Sequence, residues 1–367
     1  MAGVKAADRC PGVLRAHRAE DGLVIRIRLP GGQTSAAALT ALSRLAGRFG
    51  HDELQLTSRG GIQLRGLPDP VPEEVPARLG EIGLLPSASH ERVRNIVASP
   101  LSGIAGGLAD LRGLVRALDG AVVAEPALAA LPGRFLFVLD DGRGDVASRS
   151  FDLGYRALDA RSGLVLIGGP GLGFPVAADR AVDRLVDLAG AFLAARGDSG
   201  AWHVGELAGW RFALPGVRAV PVPPTAPATP LGAVGAAASV AVPLGRLTPD
   251  QVAAVGRVSS GPVVVTPDRG LVVPGAATAL SILTGAGLLT DPASPWSLIS
   301  ACVGAPGCAS AEGSTRESAV AAVSAGRVRT RTHVTGCDRR CGAPHGPYDE
   351  LRAGAGERIV VPGPGGP

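Results

Sequence analysis

Over residues 23–29, Leu23, Ile25, Ile27 and Leu29 alternate with Val24, Arg26 and Arg28. A period of two is that of a half-buried strand, and Gly31-Gly32 ends it. The period then changes. Over residues 34–49, Leu39, Leu42, Leu45 and Phe49 recur at helical spacing, with Thr34 or Ser35 as N-cap and Gly50 as a C-terminal stop. Leu54-Gln55-Leu56 and Ile62-Gln63-Leu64-Arg65 return to the strand period, and Gly60-Gly61 between them permits a tight reversal. The predicted hairpin keeps Leu54, Leu56, Ile62 and Leu64 on one face and Gln55, Gln63 and Arg65 on the other.

The plan occurs twice. Val240, Val242 and Leu244 alternate as the first strand does, and Thr248-Pro249-Asp250-Gln251 supplies the N-cap, N1 proline and N3 glutamine of a helix continued by Val252, Val255 and Val258. Residues 266–275 then match residues 57–66 without a gap, setting Gly270 on Gly61 and Gly275 on Gly66. Asp268 stands where Arg59 was and Val272 where Gln63 was, so the polar face belongs to one copy. A face kept for solubility is expected in both copies, whereas one serving an off-axis site is not.

A longer mixed segment follows each copy. In the first, residues 92–97 lead to a helical stretch over 108–118 and a strand over 134–139, entered by Leu131-Pro132-Gly133. In the second, residues 300–309 and 329–336 take the corresponding places, which sets the cysteines where the first half carries arginines. Proline-rich residues 215–230 read as a semi-extended linker, and the Gly- and Pro-rich residues after 352 as a loose tail.

The 367 residues, 46% of them apolar, suffice for two or three domains with real cores. A formal charge of +4 is small for this length and implies no polybasic nucleic-acid or membrane surface. Every apolar run is broken before the roughly 18 residues a spanning helix needs. Residues 1–11 contain no apolar signal segment, so a cytoplasmic protein is expected. Lys5 is the only lysine, which excludes any mechanism needing a lysine deep in the chain and leaves guanidinium forks suited to carboxylates.

Four of the five cysteines read as Cys302-x5-Cys308 and, 28 residues on, Cys337-x3-Cys341. Both pairs stand among glycines, which let backbone turn closely around inorganic sulfide. Structural zinc usually takes pairs two to four residues apart, and a chain of this size needs no disulfide framework; zinc, disulfides and unligated thiols are the alternatives to an iron-sulfur cubane. Cys10 stands apart, an inert thiol in an extended arm.

These residues resemble the nitrite and sulfite reductase superfamily. The likeness rests on residues 56–66, on Arg94-Asn95-Ile96, on Leu131-Pro132-Gly133-Arg134-Phe135 and on both cysteine pairs, and it spans about residues 21 to 361. It implies an α+β fold of duplicated architecture, two ferredoxin-like half-domains and two mixed α/β domains related by a pseudo-twofold axis. The implied division is an arm (1–20), half-domain 1 (21–75), α/β domain 1 (76–214), a linker (215–236), half-domain 2 (237–292), a 4Fe-4S-binding α/β domain 2 (293–362) and a tail (363–367). It also implies that Cys302, Cys308, Cys337 and Cys341 hold a 4Fe-4S cluster. In sirohaem-containing members the residue at the place of Cys341 also bridges to the haem iron.

Such members hold a small oxyanion with two arginines and two lysines; Arg59 and Arg94 match the arginines, Arg134 replaces the first lysine and Leu136 stands at the second. A site so depleted is poor at delivering protons to sulfite or nitrite and better suited to molecular oxygen. The short chain, Cys10-Pro11-Gly12 and residues 21–28 look most like the precorrin-3B synthases, oxygen-using enzymes of aerobic cobalamin synthesis. That likeness implies monooxygenation of the polycarboxylate tetrapyrrole precorrin-3A with closure of a lactone. Arg59, Arg94 and Arg134 are then the catalytic candidates, and Arg59, Gln63, Arg65, Arg94, Asn95 and Arg134 the clamp on the ring's carboxylates. It further implies a mononuclear non-haem iron, for which His333, His345, His51 and Cys10 are candidates, although spacing assembles no two-histidine-one-carboxylate set. Ferredoxin or a NAD(P)H-linked reductase is the kind of electron donor expected. A sirohaem-dependent sulfite or nitrite reductase and a non-catalytic iron-sulfur or tetrapyrrole-binding protein are the rival readings.

Overall fold

The computed structural model describes residues 8, 10–169, 171–207, 218–224, 229–344, 346–354 and 358–361. Its centre is a pair of sheets that exchange edge strands. The first runs His17–Ala19, Gly22–Ile27, Ile62–Leu67, Leu54–Leu56 and ends on Arg246–Leu247 from the second copy; the second runs Gly232–Val234, Ala237–Ala241, Gly270–Val273, Pro262–Val265 and ends on Gln33–Ser35 from the first. Residues expected in the N-terminal arm thus supply a strand. The helices Ala36–Phe49 and Pro249–Val258 pack on each other, capped by Ser35 Oγ and by a Thr248/Gln251 capping box. Ile25, Ile27, Leu39, Leu42, Leu54, Leu56, Ile62 and Leu64 share one core with Val240, Val255, Val263, Val265, Leu271 and Val273, so neither copy buries its apolar face alone.

The repeat holds to the level of single hydrogen bonds. Thr57 N donates to Gly61 O at 2.9 Å and Gly60 N to Thr57 O at 3.1 Å; Thr266 N donates to Gly270 O at 2.9 Å and Arg269 N to Thr266 O at 3.1 Å. Gly60 has φ 67° and its counterpart Arg269 φ 60°, a left-handed conformation that a side chain adopts only under constraint. Pro30-Gly31-Gly32 and Pro243-Leu244-Gly245 form equivalent turns, so Arg26 and Arg28 correspond to Ser239 and Ala241.

The mixed domains are duplicated too. In the first, Ile96–Ala98, Phe137–Asp140 and Leu153–Ala157 are parallel neighbours and Ser162–Ile167 returns antiparallel; in the second, Ile299–Ala301, Thr332–Thr335 and Tyr348–Arg352 are parallel and Arg358–Val361 returns. This corrects the expectation that cysteines replace arginines. Arg94 and Arg134 precede their strands, whereas Cys302 and Cys337 follow theirs, at the places of Ser99 and Gly142.

Three element boundaries also differ. The helix expected over 108–118 is Arg112–Ala124, because positive-φ Gly106 and Gly107 hold the preceding chain in turns. The strand expected from 134 begins at Phe137. Of the supposed linker, Val220–Pro221 pairs with Leu172–Ala177 at a sheet edge, and Arg156 donates to the carbonyls of Pro223 and Pro224 at 2.7 and 2.9 Å. Among the described residues no helix is long and apolar enough to cross a membrane.

Candidate active site

The outer face of the first sheet carries a polar row in register across four strands: Arg26 beside Gln63, Gln63 beside Gln55, and Gln55 beside Arg246. With its oxygen turned to Arg26, Gln63 accepts from Arg26 Nη2 at 2.9 Å and Nε at 3.3 Å. Arg28, two residues on, donates to Asn95 Oδ1 at 2.9 Å and to the carbonyls of Pro11 at 3.1 Å and Gly133 at 3.3 Å. Arg59 and Arg134 complete a cluster, and Arg134 lies over the Trp202 ring at 5.1 Å, a contact of about 0.5–1 kcal/mol. Among the described residues none of Arg26, Arg28, Arg59 and Arg134 forms an ion pair, although most arginines around them do.

Guanidiniums so placed repel one another. Burial, then Arg26 beside it, pushes Arg28 down to about 9; burial lowers Arg26, and burial with Arg26 lowers Arg59. Asp152, which accepts from the backbone N–H groups of Leu136 at 2.8 Å and Val204 at 3.0 Å and is raised by burial, opposes the lowering of Arg59 without reversing it. A polyanion seated here would relieve the repulsion and accept the unused donors.

Of the sequence candidates, Arg59, Gln63 and Arg134 belong to this cluster. Arg65, Arg94 and Asn95 are already engaged. Arg65 grips Asp21 through two hydrogen bonds of 3.0 and 2.8 Å and donates to Gly307 O at 3.1 Å, tying the sheet to the loop before Cys308. Arg94 makes a bidentate pair with Asp119 at 2.7 and 2.7 Å, and Asn95 Nδ2 donates to Arg92 O and Gly133 O while its oxygen holds Arg28. Leu136 is buried in an apolar cluster with Val138, Phe151 and Leu166. Arg26 and Arg28 join this cluster without having been candidates, and their signal was their place on the outward side of the first alternating strand.

The four C-terminal cysteines lie near enough to act on one another electrostatically. Burial, and then Cys302, Cys337 and Cys308 in turn, raise the Cys341 thiol, and Gly336 N donates to Cys302 Sγ at 3.2 Å. Free thiols so grouped, with a backbone N–H aimed at sulfur, suit a shared iron-sulfur centre. The two loops touch different sheets: Gly307 meets the first through Arg65, and the Gly342 carbonyl meets the second copy's hairpin, accepting from Arg269 at 2.6 Å.

The second-iron candidates among the described residues do not assemble. His333 is fully buried, bonded to Ser300 Oγ at 2.8 Å, edge-on to Tyr348, and driven down to about 4 by burial and then Arg269. His51 faces Asp21 at 3.2 Å from an exposed position. Cys10 stands beside Arg26, Arg28 and Arg59 in an arm strapped down by Asp8, which accepts from Gly133 N at 2.7 Å and Arg92 at 3.0 Å, so the thiol is not remote as expected. His345 lies outside the described residues. Among those described, no group of three or more His, Cys, Asp or Glu is placed to hold a single metal ion.

Comparison with known proteins agrees with the architecture. Residues 15–82 match the nitrite/sulfite reductase ferredoxin-like half domain. A ferredoxin-nitrite reductase of Synechococcus elongatus is 34% identical over 125 residues, 32% of this chain and 24% of that protein. A precorrin-3B synthase of a Sinorhizobium species is 31% identical over 134 residues, 36% of this chain and 28% of that one. The matched stretches therefore span about a quarter of these relatives. The solved structure of Mycobacterium tuberculosis NirA superposes with a TM-score of 0.68 at 18% identity, covering 92% of this chain and 73% of NirA.

Proposed function

From the premise that this chain has the nitrite/sulfite reductase fold, carrying that superfamily's half domain at residues 15–82, we propose that it is an oxidoreductase of the precorrin-3B synthase type. The reaction inserts one atom of O2 into the precorrin-3A ring and releases the other as water with two electrons from an external donor; an acetate side chain closes the lactone. The observation that carries the reading is the cluster of Arg26, Arg28, Arg59 and Arg134, which makes no ion pair among the described residues and stands on a polar sheet face that exists in one copy of the repeat. A flat macrocycle edged by carboxylates matches that demand for anions.

Cys302, Cys308, Cys337 and Cys341 would hold a 4Fe-4S cluster, which supplies one-electron transfer when bound. The chain's own residues do the rest. Asn95 and the Pro11 and Gly133 carbonyls fix the Arg28 guanidinium, Gln63 fixes Arg26, and Trp202 supports Arg134, so the clamp is oriented before substrate arrives. Buried Leu136 adds no proton donor at the ring. No step is assigned to a mononuclear iron, whose candidate ligands among the described residues lie apart.

The match to a ferredoxin-nitrite reductase supports a second reading, a sirohaem-dependent reductase of nitrite or sulfite. Anaerobic purification with iron, sulfide and pigment analysis separates the two, followed by precorrin-3A, O2 and a reductant. Hydroxylactone product without bound sirohaem supports the first; sirohaem absorption with nitrite or sulfite reduction supports the second. Precorrin-3A binding without turnover would leave a non-catalytic tetrapyrrole-binding protein.

A further inference from the structure

The duplicated fold has a second cleft. A cavity of about 350 Å³ is lined by Ser239, Ala241, Asp268 and Arg269, the counterparts of Arg26, Arg28, Arg59 and Gly60. Its other walls are the segment 297–300 with Arg331, and the loop bearing Asp145 and Arg149 that follows Phe137–Asp140 as the Cys337–Cys341 loop follows Thr332–Thr335. It is thus the pseudo-twofold mate of the cleft proposed for the tetrapyrrole. The volume is too small for a macrocycle and sufficient for a small metabolite.

The mate has lost the first copy's arginines and gained others from elsewhere. Arg149, Arg269 and Arg331 reach it from three separate segments, against the carboxylates of Asp145 and Asp268. Arg149 donates through Nη2 to Asp268 at 2.8 Å and through Nη1 to Ser58 O at 3.3 Å. Its Nε, on a residue 7% exposed, is a buried donor without any hydrogen-bond partner, whereas Asp145 Oδ2 on the same wall faces Arg143 at 3.9 Å. A buried N–H donor left unpaired is destabilising unless an acceptor fills the space beside it. Arg269 keeps a left-handed backbone where the first copy uses glycine, a strained placement that brings its guanidinium to this wall. Burial lowers Arg269, opposed by Asp268 and reinforced by Arg149 and Arg331, so the cations here also press on one another.

We infer that this second cavity is a binding site for a small oxyanion with two negative charges, a phosphate or a dicarboxylate, held by Arg149, Arg269 and Arg331. It is separate from the tetrapyrrole clamp and does not depend on the reaction proposed above. Because Gly342 and Pro344 line the cavity next to Cys341, an anion here would also brace the loop that carries the last cysteine.

Calorimetric titration of the intact, cluster-containing protein with succinate and with inorganic phosphate, in chloride of matched ionic strength, tests the site and separates the two chemistries. One of the probes is expected to bind once per chain at least tenfold tighter than acetate. Arg149→Gln, and Ser148→Glu on the exposed rim where folding is not at stake, should each weaken it tenfold or more, while Arg59→Gln leaves it unchanged. Failure of both probes to saturate, binding that survives Arg149→Gln and Ser148→Glu, or loss on Arg59→Gln would each overturn the assignment.

Discussion

Sequence likeness places Arg94 on the ligand, whereas the structure commits it to Asp119 on the helix Arg112–Ala124. The two roles separate in a double-mutant cycle of Arg94→Met and Asp119→Leu. The pair has two charge-assisted hydrogen bonds of 2.7 Å, and its side chains are 6% and 20% exposed. Removing one partner of a fully buried pair costs about 3–5 kcal/mol, because the other charge is left unpaired. Asp119 retains some water, so about 2–3 kcal/mol is expected for either single change, with a coupling of about 2 kcal/mol in the cycle. Urea unfolding followed by tryptophan fluorescence reads the midpoints. A coupling below about 0.5 kcal/mol, together with a large loss of precorrin-3A affinity in Arg94→Met alone, would show that the ion pair is incidental and Arg94 a ligand contact.

Arg26→Ala and Arg59→Ala should each weaken precorrin-3A binding by about 1.5–3 kcal/mol, read by absorbance titration, while iron and sulfide content stay unchanged. Cys337→Ser should abolish the cluster's visible absorption; a full complement of iron and sulfide in that variant would disprove the ligand set. Arg65→Leu frees the Gly307 carbonyl and strands Asp21, so the cluster should bleach faster in air than in the parent protein, and equal bleaching rates would remove Arg65 from that role. Asp145 is raised to about 7, by burial first and by Asp140 and Asp141 next, against the Ser99 hydrogen bond. The folded state therefore keeps a proton that the unfolded chain releases near pH 4, and stability falls as pH rises from about 4 to 7. Asp145→Asn should flatten that slope and, above pH 7, stabilise the protein by roughly 2 to 4 kcal/mol; an unchanged slope from pH 4 to 8 would show that Asp145 titrates normally.

Local pattern determined a large part of this protein. The alternation over 23–29, the capping signals at Ser35 and Thr248, and the glycine-matched hairpins at 57–66 and 266–275 act within one or two turns of chain, and the structure keeps them nearly residue for residue. The two cysteine pairs were legible as pairs for the same reason, and the fold sets their two loops beside each other. The sequence could not state which guanidiniums are free. Arg26, Arg59, Arg65 and Arg94 look alike along the chain, and their roles follow from whether Asp21 and Asp119, 44 and 25 residues away, come within hydrogen-bond reach. The exchange of edge strands between the copies, the place of the cysteines at the far ends of their strands, and the second cavity with cations from three segments are likewise products of long-range packing. Apolar burial sets that packing; it is nondirectional and leaves no local periodicity to read.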